Sequence, residues 1–130
     1  FIACWYTKYH YNLLRPVTYI RKLLDPAWSS FITTPPFPEY TSGHSVQSGA
    51  AATVLSNMFG EKAFTDTVHV DHGLVPTLAP RSFNSFIEAA NEAAISRLYG
   101  GIHFRPAIEL GVQQGVCVGQ TISDRIKFTK

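Results

Sequence analysis

Gly111, Gly115 and Gly119 recur four residues apart in a stretch that begins near Pro106 and runs to about residue 126. Positions four apart share one face of an α-helix. The spacing therefore predicts a helix with a smooth ridge, suited to tight contact with another helix. A second segment, "SGHSVQSGAAATVLSNMFG", reads as a buried helix ending at Gly60, and its early alanines and glycines also allow close packing. These two stretches constrain the chain more than any other feature, and both point to helix on helix.

The remaining elements follow the same period. Residues 2 to 14 carry apolar positions at Ile2, Trp5, Tyr6, Tyr9 and Leu13, with no breaker before Pro16. A residue before proline is pushed out of the helical region, so Arg15-Pro16 interrupts that helix. "PVTYIRKLLD" then restarts one with Pro16 in its first turn. Pro26, Pro35, Pro36 and Pro38 make residues 25 to 41 an extended connection, and residues 61 to 81 read as polar and irregular. Ser82 is positioned to cap a helix through Phe83, Phe86, Ile87, Ala90, Ala94 and Leu98, which Gly100-Gly101 stops. Strand alternation and internal repeats are missing from the pattern, so the expected fold is an all-α helical bundle.

Composition narrows the function. The chain has 130 residues, enough for one domain with a core. With 45% hydrophobic and 15% charged residues it is not a disordered sequence. A net charge of +2 without a basic run does not suggest a nucleic-acid partner, and no apolar stretch reaches the roughly 18 residues of a membrane span. Cys4 and Cys117 form no C-x-x-C pair and read as small buried apolar groups. The chain opens without Met and in mid-pattern, so residues 1–130 are expected to be a partial or complete domain from a longer protein.

Lys8 and Arg15 are seven residues apart, about two helical turns, which would place both on one face of a single helix. Their neighbours, Trp5, Tyr6, Tyr9, Tyr11 and Leu14, are largely apolar and aromatic, and the first acid after them is Asp25. Two cations embedded there call for a counter-charge, and a bound anion would supply one. "TSGH" (residues 41–44) sits where extended chain turns into helix, a place whose unpaired N–H groups bind anions. "SRLYGGIH" adds Arg97 and His103 at the end of another helix. Asp66, His69, Asp71 and His72 gather in one loop, but their irregular spacing favours a solvated loop over a zinc site. A Ser-His hydrolase built from Ser42 or Ser45 with His44 lacks the Gly-x-Ser-x-Gly elbow.

Taken together, three stretches resemble the superfamily of vanadium-dependent haloperoxidases and type 2 phosphatidic acid phosphatases. They are "KYHYNLLRP" from Lys8 to Pro16, "TSGH" from Thr41 to His44, and "SRLYGGIH" from Ser96 to His103. The family signatures are Lys, six residues, Arg-Pro; then Pro-Ser-Gly-His; then Ser-Arg, five residues, His. Order and spacing match across residues 8 to 103, and "RPVTYIR" with "FPEYTSGHS" looks closer to the haloperoxidase branch. Two positions depart: Thr41 stands for the usual proline, and Ala107 stands where the family often has an aspartate that orients the last histidine. Glu109 is the acid close in sequence to that position.

The resemblance implies a helical bundle of the haloperoxidase/acid-phosphatase type with a tetrahedral oxyanion site. Lys8, Arg15 and Arg97 would supply positive charge, and Ser42 and the Gly43 N–H neutral donors. His103 would bind vanadium, as vanadate, or attack phosphorus. His44 would move a proton on the opposite side. In the haloperoxidase reading hydrogen peroxide and a halide are the substrates, Lys8 polarises the peroxide, and vanadate is the cofactor. The alternative is hydrolysis of a phosphate ester, with phosphate in the same site and a phosphohistidine intermediate. A further alternative is an inactive anion-binding homologue. The resemblance also allows a homo-oligomer and suggests a location outside the cytoplasm, such as the periplasm.

Overall fold

In the computed structural model, which describes residues 1–126, eight elements follow one another. They are α1 (Ile2–Tyr11), α2 (Pro16–Leu23), α3 (Gly43–Phe59), β1 (Phe64–Asp66), α4 (Val68–Asp71), β2 (Arg81–Phe83), α5 (Phe86–Tyr99) and α6 (Arg105–Arg125). The glycine ridge of α6 lies against the small-residue helix α3. A Cβ at Gly115 would stand 2.3 Å from the Val46 carbonyl oxygen, and one at Gly119 2.7 Å from that of Ala50. From the other side, a Cβ at Gly49 would stand 2.7 Å from the Val112 carbonyl oxygen. The two backbones touch. Glycine weakens a helix interior by about 1 kcal/mol relative to alanine, so α6 depends on this contact for its stability.

Helix α5 packs on both, and the core is built from small and branched residues: Val46, Ala52, Ala90, Ala94, Ala107 and Ile108 are buried. Ser42 caps the start of helix α3, its hydroxyl accepting from the Ser45 N–H, and Gly60 caps its end with φ 73°. Ser42 N–H in turn donates to the Ala107 carbonyl at 3.0 Å, which ties the start of α3 to the start of α6.

Several expectations need correction. Helix α1 ends at Tyr11 rather than residue 14, because Asn12 takes the left-handed conformation (φ 47°) that terminates a helix. Ser85, not Ser82, caps α5, accepting from Glu88 N–H at 3.1 Å. Ser82 instead lies in β2, which pairs antiparallel with β1, and its hydroxyl meets Thr65 Oγ1 at 2.9 Å. The stretch 61–81 is thus partly ordered as a two-stranded ribbon held by Phe64 stacking on Phe86. Cys4 is buried as expected, whereas Cys117 is exposed on α6. Tyr6, Tyr9, Tyr11 and Leu14 are also exposed, so the aromatic character around Lys8 and Arg15 is not a buried shell.

Candidate active site

Lys8 and Arg15 are buried, at 1% and 6% exposure. They do not share a helix. Lys8 belongs to the last turn of α1, while Arg15 is the N-cap of α2 in extended backbone, φ −73° and ψ 153°, as its following proline requires. The irregular segment 12–15, which starts at the left-handed Asn12, brings both cations to the Phe37 ring. Phe37, from the proline-rich connection, receives both cations on its ring, with Lys8 Nζ 5.4 Å and Arg15 Cζ 5.0 Å from the centroid.

The same connection supplies their hydrogen bonds. Lys8 Nζ donates to the carbonyls of Pro38 and Glu39, both at 3.0 Å. Arg15 Nε donates to Phe37 O at 2.9 Å, and its Nη1 donates to Ile102 O at 2.9 Å. Arg15 Nη1 also lies 3.0 Å from His103 Nε2. On the far side of that ring, His103 Nδ1 is 2.6 Å from Glu39 Oε1. The buried cations therefore do have an acid beside them, Glu39, which is 2% exposed.

Charge in this pocket is held against its ordinary tendency. Burial pulls the Lys8 pKa down to about 8, with the Arg15 charge adding to the effect and Glu39 opposing it. Burial likewise lowers His103, despite the opposing hydrogen bond to Glu39, so its imidazole is neutral at pH 7. His44 stands at the solvent rim on the first turn of α3; partial burial and the nearby charge of Arg97 hold its pKa below the usual value. Arg97, from the last turn of α5, is half-buried, and its Nε has no hydrogen-bond partner among the described residues. Ser96 turns away, donating to Ala93 O.

Ser42 is fully buried, and Gly43 opens α3 with nothing within 4 Å of where a Cβ would be. The first N–H groups of a helix lack partners within it, so Gly43 offers a donor beside an accessible space. A cavity of about 170 Å³ is bordered here by Cys4, Trp5, Lys8, Phe37, Gly43 and His44. Trp5 and Phe37 meet edge to face at 4.8 Å in its wall. Cationic donors, a neutral imidazole and a helix N-terminus form a set that can hold an oxyanion.

A family model for the VCPO second helical-bundle domain matches residues 22–129. The chain belongs to the vanadium haloperoxidase family. A bacterial vanadium-dependent iodoperoxidase superposes on 97% of the chain with a TM-score of 0.88 and 52% identity. The chain spans 30% of that protein's length. A bacterial vanadium-dependent chloroperoxidase superposes on 95% of the chain in its apo and holo forms, with TM-scores of 0.76 and 0.77. At 21% identity, and with the chain spanning 33% and 32% of those structures, that likeness shows the fold. No curated protein matches the chain.

Against the haloperoxidase signatures, the structure brings Lys8, Arg15 and His103 into one hydrogen-bonded cluster with Glu39, while Gly43 and His44 border the adjoining cavity. Thr41, in place of the signature proline, is buried and donates to Gln114 Oε1 at 2.5 Å. Ala107 is buried, at 1% exposure, and its methyl group brings no acid to His103. Glu109 is exposed and faces Arg105 at 3.5 Å, so it does not take over the role of the missing aspartate. The loop acids are engaged in turns: Asp66 accepts from Val68 N–H and Asp71 from the Thr67 hydroxyl. Glu39 was not singled out from the sequence. The available signal was its being the one acid between Asp25 and Glu61, set two residues before the "TSGH" stretch.

Proposed function

We propose that this chain carries the vanadate site of a haloperoxidase that oxidises halide, iodide foremost, with hydrogen peroxide. The observation that supports it best is the neutral His103 ring, held between Arg15 and Glu39 with Lys8 beside them. The 52% identity to an iodoperoxidase favours iodide. His103 Nε2 would hold vanadium. Lys8, Arg15, Arg97, Ser42 and the Gly43 N–H would hold the oxygens of vanadate. The unpartnered Arg97 Nε is an orphaned donor that such an anion satisfies. When bound, vanadate supplies Lewis-acid activation of peroxide without changing its own oxidation state.

The protein's own groups do the rest. His44 is neutral at pH 7 and exposed at the rim, so its imidazole accepts a proton from incoming peroxide and returns one to departing water. Lys8 faces the cavity and polarises peroxide oxygen through an N–H that its two carbonyl partners leave available. Trp5 and Phe37 line the approach with apolar surface, which suits a large, weakly hydrated halide. Phosphate-ester hydrolysis is the second reading, because Glu39 supplies an acid beside His103 where Ala107 supplies none. Assaying iodide oxidation and p-nitrophenyl phosphate hydrolysis in parallel separates the two. Vanadate-dependent iodide turnover supports the first reading; ester turnover inhibited by vanadate supports the second.

A further inference from the structure

We infer that Glu39 is the residue that positions His103, taking from a different point in the chain the part that Ala107 leaves vacant; this rests on the vanadate reading above. The geometry is specific. Glu39 Oε1 lies 2.6 Å from His103 Nδ1 and accepts from the Phe104 N–H at 3.0 Å, gripping the histidine by its ring and by the next backbone donor. Glu39 is itself fixed, its N–H donating to Leu13 O at 3.0 Å.

Hydrogen-bond chemistry then sets the tautomer. Arginine has donors only, so the 3.0 Å contact from Arg15 Nη1 makes His103 Nε2 an acceptor. The ring proton therefore resides on Nδ1 and points at Glu39, which leaves the Nε2 lone pair facing Arg15. A carboxylate behind a ligating imidazole fixes ring orientation and raises ligand basicity. The backbone of the same segment carries the cations: Pro38 O and Glu39 O hold Lys8, and Phe37 O holds Arg15. One short run, Phe37-Pro38-Glu39, thus orients three of the site's charged or ligating groups.

The test compares Glu39→Gln and Glu39→Met with the unmodified chain. Two quantities are measured: the ¹⁵N shifts of His103 in vanadate-free protein, and the Kd for orthovanadate by calorimetry. The unmodified chain should show the Nδ1–H tautomer. Glu39→Met should lose that preference and bind vanadate about 100-fold more weakly, and Glu39→Gln, which keeps an acceptor without the charge, about 10-fold. A wild-type tautomer with wild-type vanadate affinity in Glu39→Gln would overturn the assignment. Should Glu39→Met fail to fold, Glu39→Gln decides alone. Should the unmodified chain bind no vanadate, the vanadate reading falls, and the tautomer still decides whether Glu39 orients the ring.

Discussion

Arg15 Nη1 lies 3.0 Å from His103 Nε2, joining residues 88 positions apart. The nitrogen proposed to hold vanadium is thus already engaged by a cation whose fork suits oxyanions. On the proposed vanadate reading, Arg15 would give up this contact to hold an oxygen of the anion, and His103 would hold vanadium. The guanidinium has other anchors, because Phe37 O accepts from Nε and Ile102 O accepts from Nη1.

This arrangement predicts that Arg15→Lys is not conservative. Lysine keeps the charge but loses the planar fork that reaches Phe37 O, Ile102 O and the anion together. Loss of a charged, buried hydrogen bond amounts to about 1.5–3 kcal/mol, so vanadate affinity should fall roughly 10- to 100-fold in Arg15→Lys. Arg15→Ala should bind more weakly still. Calorimetric titration checks both; equal affinity for Arg15→Lys and the unmodified chain contradicts the fork argument.

The α3–α6 contact predicts opposite outcomes for two glycines. A Cβ at Gly115 meets backbone atoms at 2.3 and 2.8 Å, which can yield only by separating the helices. Gly115→Ala should destabilise the fold by about 3 kcal/mol. Gly43→Ala meets nothing within 4 Å and should change stability by less than about 0.5 kcal/mol. Urea unfolding followed by circular dichroism compares them.

Lys8, with its pKa pulled down to about 8 by burial, makes anion binding sensitive to mild alkali. Sulfate keeps its double charge throughout this range, so its binding reports protein groups alone. Affinity should fall as pH rises from about 7 to 9, as Lys8 gives up its proton. In Lys8→Met affinity should be low and flat with pH. A pH-independent unmodified chain contradicts the assignment.

Acid should weaken the fold earlier than carboxylate titration alone requires. The folded-state pKa of His103 is lowered from 6.5, chiefly by burial, so below pH 6.5 the unfolded chain binds more protons than the folded one. Stability therefore falls as pH drops from about 6.5 toward the folded value, by up to about 1.4 kcal/mol per pH unit from this group. Urea midpoints at pH 7.5 and 5.5 test the sign, and His103→Gln should flatten the slope.

The helical architecture was readable because its signals are local. Four-residue glycine spacing, Pro16 at a helix start and Gly60 at a helix end act through backbone geometry within a few residues. The three-residue strands β1 and β2 carry too little alternation to register, and their pairing spans a loop. The motif spacing singles out Lys8, Arg15 and His103, which the structure clusters, but the single helix expected to align the first two does not form. Asn12 and Pro16 break that helix, and the irregular segment between them restores the proximity. Glu39 is not legible locally because its meaning is tertiary: it lies 64 positions from His103. No local period reports such a pair.

The most direct test is iodide oxidation by the folded chain, with orthovanadate and hydrogen peroxide, beside His103→Ala of matching helix content. The account predicts triiodide formation that requires vanadate, is suppressed by phosphate and falls at least about 100-fold in the variant. A folded chain that forms no triiodide above the vanadate-only background, or whose turnover survives His103→Ala, contradicts it.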